Sequence, residues 1–158
     1  MAVVSITTLK SYFETGDKPT EPQYVNLIDT LNRLSDTYVL EVALAQLDTD
    51  ITLATGVAKF PIPEDMTFSN EYPPFIRVDT APVGASATWD INVDGATILS
   101  TKISIETTEL TSKNASSQPV FSTLTANEDD PCTVDCDQKG VSAAGQNPVL
   151  VIIYTKGN

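Results

Sequence analysis

The chain has 158 residues, nine Lys and Arg against 21 Asp and Glu, no histidine, and a formal net charge of −12. A chain of this length forms one ordinary domain plus a short appendage, and it buries about 68–70% of its unfolded surface without needing a disulfide or a metal. Zero histidine removes Ser-His-Asp and Cys-His catalysis and the commonest zinc ligand, while the scattered basic residues and the negative charge argue against nucleic acid and anionic membranes as partners.

The first ten residues, MAVVSITTLK, lack a basic stretch ahead of an apolar one, so no signal peptide is expected and synthesis in a cytoplasm is. No apolar stretch approaches the ~20 residues that span a bilayer. Residues 1–37 carry a helical pattern. Thr7 or Thr8 is expected to cap a short helix through Leu9, Tyr12 and Phe13, with Gly16 as its stop. GDKPTEP is a turn. Thr20 and Gln23 have capping-box spacing, and Pro22 falls in the first turn of the helix expected over about 21–35. Tyr24, Leu27, Ile28, Leu31 and Leu34 recur every three or four residues as one apolar stripe. Two short helices cannot bury such stripes alone and must dock on the rest of the chain, on a copy of themselves or on another protein. Leu9, Tyr12, Phe13, Tyr24, Leu27, Ile28, Leu31 and Leu34 are the expected attachment or oligomer interface.

From residue 38 the period changes to two. Tyr38–Leu47 suits a strand, although Ala43, Ala45 and Leu47 suit a helix too, and Ile51–Phe60 is an expected strand interrupted at Gly56. Four prolines at 61, 63, 73 and 74 mark loops or edge strands around Met66–Tyr72. Phe75–Val78 is a short strand. SATWDINVDGATILS is a hairpin with Asp94-Gly95 at its turn, Trp89 in the core, and Asp90, Asn92 and Asp94 on the polar face. Lys102–Thr107 alternates. Residues 112–118 are a polar loop, Val120–Thr125 a strand, NEDDP a turn, Cys132–Gln138 a strand and 139–148 a small-residue loop. Val149–Thr155 is an apolar, central strand. Seven or eight such strands read as a mainly β fold: an antiparallel β-sandwich over 38–158, jelly-roll-like, preceded by a short N-terminal helical element.

Candidate chemistry is sparse. On a strand Cys132 and Cys136 stand about 13 Å apart at ~3.3 Å per residue, too far for a disulfide's Cα separation of about 4.4–6.8 Å. They read as small buried apolar residues. Glu128, Asp129 and Asp130, with Asp135 and Asp137 nearby, form the one acidic cluster at a turn where a hard cation could be held. Its spacing matches no calcium loop, and a solvated turn is the plainer reading. There is no phosphate-cradling glycine loop and no G-x-S-x-G. Neither a cofactor nor enzymatic activity is expected.

Residues 9–31, LKSYFETGDKPTEPQYVNLIDTL, resemble a segment near the N-termini of structural proteins of tailed bacteriophages. The shared pattern is F-x-T-G-D-x-P-T-x-x-x-F/Y-x-x-L-I-D, matched by Phe13, Thr15, Gly16, Asp17, Pro19, Thr20, Tyr24, Leu27, Ile28 and Asp29. Segments 78–106 and 129–145 are similar to a β-domain of phage virions. They depart from its pattern in Asp-Gly at the hairpin turn and in Cys136, where valine is common. The resemblance implies a virion component with no catalytic residues: a head decoration (cement) protein, a head fibre, or a tail fibre or baseplate appendage. It also implies a homo-oligomer, often a trimer, with the major capsid protein or other virion proteins as partners. A receptor- or glycan-binding module is the alternative, with loops 66–74 and 139–147 as its site.

Overall fold

The computed structural model of the chain describes residues 6–14, 16, 18–35 and 37–157, with side chains throughout except at 6 and 31–35. The chain divides into two compact units, 1–37 and 38–158.

The first unit holds helices α1 (Ile6–Ser11) and α2 (Glu21–Ser35). Helix α2 starts where the capping pattern places it. The backbone N–H of Thr20 donates to Gln23 Oε1 at 2.7 Å, which satisfies one donor that the helix start leaves free. Helix α1 begins earlier than expected, at Ile6, so Thr7 and Thr8 lie within it. Tyr12 and Phe13 follow it in a turn, their N–H groups donating to Leu9 and Lys10 carbonyls at 3.1 Å. The helix ends at Ser11 and not at Gly16, which lies beyond the turn with a left-handed φ of +95°.

The second unit contains β1 (Thr37–Ala43, its first residue in the boundary), β2 (Ala54–Pro61), β3 (Met66–Phe68), β4 (Phe75–Arg77), β5 (Ala87–Val93), β6 (Ala96–Thr97), β7 (Leu99–Thr101), β8 (Ile103–Ile105), β9 (Val120–Phe121), β10 (Thr125–Ala126), β11 (Pro131–Gln138) and β12 (Val149–Lys156). Twelve strands among the described residues replace the seven or eight expected. The runs 97–100 and 120–125 each break where the chain changes partner: β7 and β9 pair with each other, whereas β6 pairs with β5 and β10 with β3. Met66–Phe68, expected within a loop or edge, is strand β3 between β12 and β10, with Met66 and Phe68 buried.

One sheet runs β1-β12-β3-β10, with β4 also on β12; the other runs β2-β11-β5-β6, with β8 also on β5. The pairing is nested: the first strand lies beside the last, the second beside the last but one, and β3 beside β10. That nesting is the jelly roll. The inward faces of both sheets meet in one apolar core that includes Ile76, Leu150 and Ile152 from one sheet and Trp89, Ile91, Ile103 and Val134 from the other. Trp89 is wholly buried, and β12 is central. Asp94 (φ 52°) and Gly95 (φ 75°) make the two-residue turn between β5 and β6, both left-handed as such a turn requires.

Candidate interaction surfaces

The N-terminal unit shows an apolar face. Phe13, Tyr24, Val25 and Ile28 are exposed, Ile28 to 55%. The Phe13 and Tyr24 rings meet edge to face at 5.9 Å, which ties the turn after α1 to the first turn of α2. Tyr12 and Leu27 are half-buried and Leu9 is buried. The side chains of Leu31 and Leu34 lie outside the described residues. One carboxylate oxygen of Asp29 is buried with no hydrogen-bond partner.

A second apolar surface lies on one flank of the sandwich, where sequence reasoning placed nothing. Strands β1 and β2 are the terminal strands of their sheets. A groove of about 450 Å³ runs between them, lined by Leu40, Val42, Val57, Ala58 and Phe60. These side chains are half-buried, whereas the inward residues of β5 are fully buried. At one end Tyr38 stacks on Tyr154 at 5.6 Å. Tyr154 Oη donates to Glu64 at 2.8 Å, and Lys156 pairs with the same carboxylate at 2.8 Å. The hydrogen bonds from Lys156 and then Tyr154 hold the Glu64 carboxyl below its ordinary range. Gly56 N–H donates to Asp135 Oδ1 at 2.6 Å, and Asn92 Nδ2 donates to Asp135 Oδ2 at 3.0 Å. Thr55, Gly56 and Val57 thus bulge opposite the single residue Asp135.

Three of the acidic residues, Asp90, Asp130 and Asp135, bind groups of the fold itself. Asp130 accepts the backbone N–H of Asn127 at 2.7 Å and its side-chain amide at 3.1 Å, closing its own turn. Glu128 and Asp129 are exposed, and Asp129 takes a left-handed φ of 66°. Among the described residues no three His, Cys, Asp or Glu side chains converge as a metal site. Asp90, expected on a solvated face, is buried: it accepts the Thr97 hydroxyl at 2.6 Å and pairs with Lys102 at 3.1 Å. Lys102 also reaches Asp137 at 2.7 Å, and these two carboxylates, Asp137 foremost, raise the pKa of its ammonium. Cys132 and Cys136 are buried free thiols; burial pushes them up to about 12 and about 11, as inert core thiols require.

The two loops named as a receptor site differ. Residues 137–144 line a hollow of about 590 Å³ together with Asp50, Leu53 and Ala85. The other loop contributes Glu71, Tyr72 and Pro73 to a smaller one of about 300 Å³ beside Phe75, over whose ring Lys113 sits at 3.7 Å. Among the described residues no helix is long and apolar enough to cross a membrane. Comparison of the chain with protein-family models, curated proteins and solved structures returns no significant match.

Proposed function

We propose that the chain is a structural component of a tailed-phage virion, a head decoration (cement) or head-fibre protein, made in the host cytoplasm and acting through protein–protein contacts without catalysis. The observation that carries this reading is the exposed row of Phe13, Tyr24, Val25 and Ile28 on a helical unit of under 40 residues. A unit so small buries too little of its own surface to be stable unaided, so a partner surface completes it. The partners are further copies of this chain and the major capsid protein or another virion protein. Further support comes from the resemblance of residues 9–31, which covers this same unit, and from a jelly roll, an architecture used in viral capsids and lectins alike. Attachment adds buried apolar area at the particle surface, and stability then rises with occupancy. The charge of −12 keeps many neighbouring copies from clumping.

The test is to strip the protein from purified particles and rebind it. Tyr24→Asp and Ile28→Asp abolish rebinding while the sandwich keeps its melting temperature. A protein that is monomeric and has no affinity for particles defeats the reading. Receptor or glycan binding is the second reading, favoured by the half-polar hollow under 137–144. A glycan array with the purified protein separates the two.

A further inference from the structure

We infer that the flank formed by β1 and β2 is a self-association surface on which strand β1 of one copy lies beside β2 of the next. This rests on the self-association proposed above and deepens it by assigning a contact between copies to the sandwich, beside the helical face that meets the particle.

Three observations converge on this flank. The first is the row of backbone groups it leaves open. The Leu44 N–H donates to the Pro148 carbonyl at 2.9 Å, on the β12 side. N–H and C=O groups alternate in direction along a strand, so those of Val39, Glu41 and Ala43 face away from β12, where the sheet ends. The second is the slight protection of β1. Its sequence TYVLEVA contains no proline, lysine or glycine, its backbone shows no positive φ, and Val39 is 59% exposed. Natural edges of this length are normally guarded by several such devices or by charge, and β1 has the single charge of Glu41. The third is the apolar groove behind the edge, where Leu40, Val42 and Phe60 are only half-covered.

Charge selects the occupant. Glu41 is the one charge on β1 and Lys59 the one charge on β2, and both side chains point outward. Glu41 meets Arg77 only at 3.7 Å, with both side chains more than half exposed, so that pair is weak. Lys59 has no ion-pair partner among the described residues. A second copy supplies the match: its Lys59 reaches Glu41, and its Ala58 and Phe60 continue the row of Leu40 and Val42. Both edges lie on one flank. An axis parallel to the strands therefore brings each β1 beside the neighbour's β2 and turns the grooves towards one another. Two copies about such an axis meet isologously, with β1 beside β2 twice over, whereas three copies repeat the contact head-to-tail around a closed ring. Pairing β1 with β1 places no lysine near Glu41. The edge lysine then rejects other edges and accepts the one that carries an acid.

The experiment is sedimentation of the full chain at micromolar concentration. The wild type is expected to sediment as a closed oligomer. Glu41→Lys and Lys59→Glu each weaken association about tenfold, and the double reversal restores it. Val39→Pro removes one outward N–H without touching the β12 ladder and dissociates the oligomer. A wild-type monomer overturns the inference. So does assembly that persists in Val39→Pro with unchanged circular dichroism, or a double reversal that fails to restore. The two charge variants are exposed substitutions, so they keep the test decisive if Val39→Pro misfolds. An oligomer that ignores particles leaves this inference standing and removes the attachment reading; a monomer that binds particles does the reverse.

Discussion

The two flanks of the sandwich are built from the same kind of alternating strand and end differently. On one flank the chain leaving β6 and the chain entering β10 pair with each other as β7 and β9, and they seal the core. Leu99 and Phe121 are buried there, Phe121 stacks on Phe68 at 4.8 Å, and Asn70 clamps the Phe121 backbone through both its N–H (2.7 Å) and its carbonyl (3.2 Å). On the other flank β1 and β2 face each other across a groove, and nothing in the same unit covers Leu40, Val42 or Phe60 fully. The difference teaches that alternation specifies which face of a strand is apolar, not whether that face is finished within one copy. A sealed flank serves stability. An unsealed one is free to serve assembly, because apolar area left uncovered in one copy is available to the next.

Paired substitutions measure that contrast. Phe121→Ala opens a cavity in the sealed flank and is expected to cost about 3–5 kcal/mol in chemical denaturation. Asn70→Ala strips both hydrogen bonds from the Phe121 backbone and is expected to cost about 1–3 kcal/mol by the same measurement. Phe60→Ala removes a ring that is already half in water, so in dilute solution it costs only about 1–2 kcal/mol. Its effect grows with protein concentration if copies cover the flank, and equal costs for Phe60→Ala and Phe121→Ala in dilute protein would erase the distinction between the flanks.

The smallest effects are read by pH. Cys132 lies opposite Phe60 across the β2–β11 ladder, yet burial pushes its thiol up to about 12. Both thiols are therefore expected to resist an alkylating reagent at pH 8 until the protein unfolds. Rapid labelling of Cys132 alone shows that β2 peels open. The folded state holds the protons of Cys132, Cys136, Tyr154 and Lys102 more tightly than the unfolded state does. Unfolding therefore releases protons above about pH 9, and stability falls as pH rises towards 11–12. Glu64 behaves oppositely: its carboxyl is lowered from 4.5 by Lys156 and Tyr154. The stability it lends is present above that value and lost as pH falls through the folded pKa, loosening the end of the groove where Tyr38 stacks. Urea melts across the pH range register both limbs.

Much of this protein is legible in local chemistry. The T-x-x-Q spacing locates the start of α2, Asp94-Gly95 locates the β5–β6 turn, and the alternation through Trp89 and through Cys132–Cys136 assigns those side chains to the core. Each of these depends on residues a few positions apart, which the chain brings together whatever the rest does. The apolar stripe of α2 is legible for the same reason. The polar residues are not. Asp90, Asp130 and Asp135 read as solvated acids, and they bind Thr97 and the Lys102 between β7 and β8, their own turn, and a neighbouring bulge, respectively. The start of α1 also escapes the capping pattern, because Thr7 and Thr8 suit a helix interior and a cap alike.

Length, composition and period-two patterning by themselves determined a mainly β unit that follows a helical one along the chain, an acidic composition and a core with two inert thiols. Only the tertiary structure decided which strands end the sheets, which flank β7 and β9 seal, and that Glu41 and Lys59 stand on neighbouring open edges. The physical reason is range. Alternation is a property of one strand, whereas an edge exists only by the absence of a neighbour, and neighbours such as β1 and β12 are more than a hundred residues apart along the chain.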